Sequence, residues 1–133
     1  MTARDLASRN ARGVLFAHNP AGKDSGWFGD VVAVFDHTGL AVFQAHSGPD
    51  AIRCVERGGL AGAVLIGDRG AIDGLALLRI IRSIDAELPC WLVTNEPTRP
   101  TLEVALSLRA TCVMNQPASG AELALAVRRL LMN

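Results

Sequence analysis

The sequence predicts a single α/β domain, a three-layer α/β/α sandwich built on a five-stranded parallel sheet. Two observations support this fold class. Five short apolar runs alternate strictly with five stretches of helical periodicity. Each apolar run ends in a loop rich in Gly, Pro, Ser or Asn, the residues that end regular structure. Strict alternation implies right-handed crossovers between parallel strands, so the helices must cover both faces of the sheet.

The five apolar runs have the length and composition expected of buried strands. They are residues 13–17, 40–45, 63–66, 90–93 and 111–114. The natural candidate order for five such strands is 2-1-3-4-5, the arrangement of flavodoxin-like folds. We expect residues 1–11 to be a flexible polar tail and residues 12–133 to form the domain.

The helical stretches begin at recognisable capping positions. Ser47 or Gly48 followed by Pro49 marks the start of the second helix. Ser119 with Glu122 has the form of a capping box at the start of the last helix. Each helix carries an apolar stripe that is expected to face the sheet. The predicted inward residues are Phe28, Val31, Val32 and Phe35; Ala51, Ile52 and Val55; Leu77, Leu78, Ile81 and Ile84; Leu102, Ala105 and Leu106; and Leu123, Val127, Leu130 and Leu131.

Composition excludes several classes of function. The chain has 13 basic and 13 acidic side chains, and this neutral balance argues against a nucleic-acid or acidic-membrane surface. No apolar run approaches the roughly 18 residues that a membrane helix needs, and the N-terminus lacks the apolar core of a secretory signal. The three cysteines have no metal-ligand spacing, so we expect free thiols in a reducing cytoplasm.

Several segments at matched spacing carry a family resemblance. They are Gly39–Ala51, Asp73–Arg82 with its Asp-Gly start, Leu92–Thr94 and Gln116–Pro117. Together they resemble the receiver domain of bacterial two-component response regulators, over nearly all of the chain from Gly13 onward. The resemblance implies the receiver fold, a cytoplasmic location in a bacterium, and signalling through protein partners.

A working receiver, as the resemblance implies, needs five groups at the carboxyl edge of its sheet. Two acids after the first strand hold Mg²⁺, an Asp ending the third accepts the phosphoryl group, and a hydroxyl and a Lys ending the fourth and fifth contact its oxygens. Here the two acid positions fall on Ala17 and His18. Ala17 has no ligand atom, and an imidazole suits Mg²⁺ poorly. We therefore expect no metal and no cofactor. Since no second His, Cys or acid is close to His18 in sequence, we expect a hydrogen-bonded pocket histidine.

The position of the phosphoacceptor depends on a register of two residues. With no gap, counting from Ala45 and from Gly74 places the acceptor position at Ile66. Asp68 becomes the acceptor only if the preceding segment gains two residues and the loop loses two. Residues 69–71 read Arg-Gly-Ala where the family has Met-Pro-Gly, so both alignments stay open. We favour Ile66 at this position, with Asp68 as a solvated loop acid.

Of the remaining positions in the receiver pattern, one keeps the residue type of the family and two do not. Thr94 keeps the hydroxyl at the end of the fourth strand. Gln116 occupies the Lys position, where it can donate hydrogen bonds but carries no charge. Val113 occupies the position of the switch aromatic and is too small to rotate between buried and exposed states. The departures lie together in one pocket, which indicates that the frame is kept and the phosphotransfer apparatus is lost.

Three functional hypotheses follow. The first is an atypical (pseudo-)receiver, not an enzyme, that acts through protein–protein contact or dimerisation. The 133 residues have no room for an output domain. Its partner is expected to be a histidine kinase, an output protein or a second copy, bound through the fourth helix, fifth strand and fifth helix, roughly residues 99–109 and 122–132. The second hypothesis is a functional single-domain response regulator phosphorylated on Asp68, with a divergent metal site. The third is a small-ligand-binding or hydrolytic domain, for which the sequence shows no nucleophile–base pair.

Overall fold

The predicted sheet and helices are present in the computed structural model, which describes residues 13–18, 27–66, 73–94, 98–115 and 119–132. The strands are β1 Gly13–His18, β2 Ala41–Ala45, β3 Leu60–Ile66, β4 Cys90–Thr94 and β5 Cys112–Asn115. The helices are α1 Trp27–Val34, α2 Gly48–Arg57, α3 Gly74–Ile84, α4 Arg99–Ser107 and α5 Gly120–Leu131. All strand pairs are parallel, in the order β2-β1-β3-β4-β5. The predicted fold class and strand order are confirmed; the predicted tail lies outside the described residues.

The two central strands are buried along their whole length. Every residue of β1 and of β3 is buried. Ala17 of β1 lies opposite Ala45 of β2 on one side and Leu65 of β3 on the other. Burial on both faces explains why these strands read as continuous apolar runs in the sequence rather than as alternating ones.

Successive residues of each strand contribute to opposite faces of the sheet. We call the side covered by α2, α3 and α4 the α2 face; its core cluster includes Leu65 of β3 and Leu92 of β4. We call the side covered by α1 and α5 the α1 face; its core cluster includes Val64 and Trp91 from the same two strands. Fully burying a side chain of this size contributes about 1.5–3 kcal/mol, so both helix layers are held by the sheet.

The helix starts follow the capping chemistry of the sequence. At four of the helices, an N-cap side chain accepts a hydrogen bond from the backbone N–H three residues later. These N-caps are Ser47, Asp73, Thr98 and Ser119. Pro49 lies in the first turn of α2, as predicted. The caps fix where α2, α3, α4 and α5 begin after the loops at the carboxyl ends of the strands.

The predicted inward direction is wrong for five side chains, each more than one-third exposed. They are Val32, Ile84, Leu102, Leu106 and Leu130. Leu106 is 71% exposed, and Ala105 is the buried residue of the α4 stripe. For the two residues of α4, the physical reason is that this short helix near the edge strand covers the sheet with a narrow stripe only. The remaining apolar side chains of α4 therefore face outward.

Candidate functional site

The carboxyl ends of the strands form one edge of the sheet, which we call the crest. Its strand-terminal residues are His18 of β1, Ile66 of β3, Thr94 of β4 and Asn115 of β5. In the sheet register, His18 lies opposite Ile66, and Thr94 lies opposite Asn115. Open α/β sheets carry their sites outside this edge. The chemistry of the protein therefore depends on what these strand ends present.

The end of β1 presents no acid. Ala17 is fully buried and belongs to the core cluster of the α2 face. His18 is 2% exposed and is the last residue of the strand, one residue beyond the predicted end at Ala17. Its ring stacks on that of Phe28 in α1, with centroids 6.3 Å apart and an interplanar angle of 16°. A methyl group and an imidazole thus occupy the positions where the receiver resemblance implies two acids.

The His18 ring has a defined hydrogen bond. Its Nε2 lies 2.8 Å from Nε2 of Gln44 on the neighbouring strand β2. An amide nitrogen can only donate, so Nε2 of His18 accepts, and its neutral form carries the ring proton on Nδ1. The predicted hydrogen bond of His18 is present, and the place of this ring in a former phosphorylation pocket stays a prediction.

A second histidine lies beside the first. The ring centroids of His18 and His46 are 5.3 Å apart, with an interplanar angle of 83°. Sequence reasoning missed this pair because it looked for neighbours of His18 along the chain. The signal was present across the strands: each histidine directly follows one of two alanines, Ala17 and Ala45, that lie opposite each other in the sheet.

The end of β3 presents an apolar side chain. Ile66 is 7% exposed and packs in the core cluster of the α1 face, which also contains Val93. It lies between His18 and Val93 in the strand register. Asp68 falls outside the described residues. The last position of this strand thus holds a side chain that cannot accept a phosphoryl group.

The ends of β4 and β5 are polar and carry no charge. Thr94 is 7% exposed, and Asn115 opposite it is exposed. Val113, at the predicted switch position, is partly buried against the core of the α2 face. Gln116, the residue at the Lys position of the resemblance, falls outside the described residues. Among the described strand ends, the hydroxyl of Thr94 is the group that matches one of those implied by the receiver resemblance.

The described ranges also bear on metal clusters, cysteines and membrane-spanning helices. Within them, no group of three His, Cys, Asp or Glu side chains is arranged to hold a metal ion. Cys54, Cys90 and Cys112 form no disulfide there, and Sγ of Cys90 donates a hydrogen bond to the backbone oxygen of Leu88. No helix in the described part of the chain has the length and apolar character needed to cross a membrane.

Comparison with solved structures identifies the fold. A CheY-like response regulator receiver domain protein from Methanospirillum hungatei JF-1 has a TM-score of 0.73 and 14% identity, over 91% of this chain and 94% of that one. The receiver domain of a Francisella response regulator has a TM-score of 0.70 and 20% identity, over 90% of this chain and 96% of that one. A structure described as adenylate cyclase from Rhodopirellula baltica has a TM-score of 0.72 and 14% identity, over 91% of this chain and 87% of that one.

The likeness lies in three-dimensional structure. No protein-family model and no curated protein matches the sequence. At identities of 14–20%, these structures establish the receiver fold and leave the chemistry to be argued from the residues of this chain.

The apolar setting of Ile66 generates a prediction about stability. Ile66→Ala is expected to lower the free energy of unfolding by about 2–5 kcal/mol, because it leaves a cavity in the α1-face core. Ile66→Asp is expected to cost about 1–3 kcal/mol more, because it also buries a polar carboxyl group among the apolar side chains of the α1-face core. Equilibrium denaturation with urea at neutral pH measures both variants. Equal stability of the two would show that the crest still accommodates an acid and would contradict the apolar pocket.

Proposed function

We propose that this protein is an atypical (pseudo-)receiver domain that signals through protein–protein contact or dimerisation, without Mg²⁺-dependent aspartyl phosphorylation. The observation that carries the proposal is the end of β3, where buried Ile66 lies between His18 and Val93 in the sheet. Aspartyl phosphorylation needs a carboxylate nucleophile and a cation that neutralises the developing charge. The strand ends of the described pocket supply neither.

The replaced groups support the proposal together. Ala17 has no ligand atom and is buried in the core, so it cannot bind a cation. His18 is engaged with Gln44 and Phe28. Val113 lacks the aromatic ring with which a receiver would report its pocket to the surface. In this proposal, the receiver fold has lost both the phosphorylation reaction and the aromatic side chain that would signal it to the surface.

The surface around the edge strand β5 supports a role in contacts. Here α4 and α5 flank β5 on opposite faces of the sheet. Five apolar side chains on these helices or directly after them are more than one-third exposed: Leu102, Leu106, Leu125, Leu130 and Met132. The last three line a shallow depression of about 660 Å³ together with Arg128 and Arg129. Exposed apolar side chains rimmed by charge mark surfaces that bind other proteins.

One arginine of α3 contacts the turn that ends α4. The guanidinium of Arg82 in α3 donates to the backbone oxygens of Leu108 at 2.8 Å and Arg109 at 3.0 Å, in the turn that ends α4. It also donates to the oxygen of Asp85 at 3.2 Å. Hydrogen bonds from a charged donor are stronger than neutral ones. These hydrogen bonds therefore connect the C-terminal end of α4, and with it this part of the contact surface, to α3.

The partner class follows from this proposal. A histidine kinase, an output protein or a second copy of the chain would bind through the α4-β5-α5 surface, defined as roughly residues 99–109 and 122–132 together with β5. A cytoplasmic location, where response regulators meet their kinases, goes with it. The proposal includes no catalytic residue and no enzymatic activity.

The first prediction concerns phosphorylation. Incubation with acetyl phosphate and Mg²⁺ is expected to leave the intact mass of the wild-type protein unchanged, because the end of β3 has no acceptor. Asp68→Asn is the matched variant. Stoichiometric addition of a phosphoryl group to the wild type, abolished in Asp68→Asn, would replace the proposal with a functional receiver that uses Asp68.

The second prediction concerns the contact surface. Leu106→Glu is expected to weaken self-association or partner binding at least about tenfold, as truncation of a central apolar contact does. Its effect on the free energy of unfolding should stay within about 0.5 kcal/mol because the side chain is exposed. Ile80→Glu on α3, also exposed, is the control and should leave association unchanged. Sedimentation velocity measures the self-association. Equal effects of the two substitutions would argue against the α4-β5-α5 surface.

A further inference from the structure

Two imidazoles and an amide converge on the α1 side of the crest. His18 and His46 follow the paired residues Ala17 and Ala45 of adjacent strands. Gln44 and His46 are two residues apart, so they project from the same side of β2 and its extension. The Gln44 amide contacts Nε2 of His18, and the two rings lie edge to face. Three potential ligand groups therefore share one small volume.

The spacing of the rings fits one tetrahedral ion. An ion bound about 2.0–2.1 Å from a nitrogen of each ring would lie roughly 3.2 Å from each centroid, and a tetrahedral angle then separates the centroids by about 5.2 Å. The observed separation is 5.3 Å. The separation of the two rings is therefore compatible with both imidazoles binding one ion.

The His18 ring is prepared for this role by its neighbours. The ring is buried and stacked on Phe28, which limits its rotation. Its Nε2 accepts a hydrogen bond from Gln44, so this nitrogen carries the lone pair that a metal needs. An ion can bind there only when the Gln44 amide nitrogen leaves Nε2. Gln44 is exposed, so its side chain has room to turn and to offer its amide oxygen to that ion.

The ligand chemistry selects the ion. Imidazole nitrogens suit Zn²⁺, Cu²⁺, Ni²⁺ and Co²⁺, and they suit Mg²⁺ poorly. We propose that His18, His46 and Gln44 form a binding site for a divalent transition metal ion of the Zn²⁺ class, with water completing its coordination. The bound ion would connect His18 at the end of β1 with Gln44 in β2 and with His46, the residue after that strand. It goes beyond the proposed function and does not depend on it, since phosphorylation and metal binding are measured separately.

The test is a titration of the untagged protein with Zn²⁺ or Co²⁺ alone. Isothermal titration calorimetry is expected to show one ion per chain, and Co²⁺ should give visible absorption bands typical of tetrahedral coordination. His46→Ala removes an exposed ligand without disturbing the core and should weaken binding by at least about 10–100-fold, the loss seen even for outer groups of metal sites. His37→Asn, at an exposed turn position, is the control and should bind as the wild type does.

Two results would overturn the site. One is wild-type binding no tighter than that of His46→Ala. The other is a loss of binding in His37→Asn as large as that in His46→Ala, which would indicate adventitious surface coordination. His18→Ala removes the buried ligand, and its folding should be checked by circular dichroism before its affinity is compared. Mg²⁺ in place of Zn²⁺ should give no saturable heat; tight Mg²⁺ binding lost with His46 would contradict the nitrogen-ligand assignment.

Discussion

Burial of β1 and β3 on both faces of the sheet is the constraint on which the other features of this structure depend. Every residue of these two strands is buried, so whatever they present at the crest must either be apolar or have its polar groups satisfied. A charge placed there without partners would cost several kcal/mol. In the described structure, Ile66 is apolar, and Nε2 of His18 is hydrogen-bonded to Gln44.

The same constraint bears on our proposal that the receiver fold is kept here without receiver chemistry. Acids clustered at the strand ends of such a sheet repel one another, and a nearby cation or basic residue stabilises their charged forms. The described strand ends instead carry His18, Ile66 and the neutral pair Thr94 and Asn115. The fold itself does not fix chemistry, since the structures that share it here carry the descriptions of a receiver and of an adenylate cyclase.

Sequence reasoning predicted the elements of this fold because their signals are local. Apolar runs, N-caps such as Ser119, and strict alternation determine the strands, the helix starts and the parallel order. Sequence reasoning failed where the direction of a side chain depends on which element packs against its helix. The period of α4 cannot reveal that Leu102 and Leu106 face outward near the edge strand. It also failed across strands, because His18 and His46 become neighbours only through pairing of β1 with β2. The two-residue register at Ile66 and Asp68 could be stated from the sequence but not decided by it.

We propose that the described strand ends of the crest offer no carboxylate that could accept a phosphoryl group or hold its Mg²⁺. The most direct measurement is ¹⁹F nuclear magnetic resonance of the protein with beryllium fluoride and Mg²⁺, since beryllofluoride binds a receiver aspartate as a mimic of its phosphorylated form. Our account predicts signals from free fluoride species alone, unchanged by the protein. Protein-bound fluoride resonances that require Mg²⁺ and disappear in Asp68→Asn would contradict it.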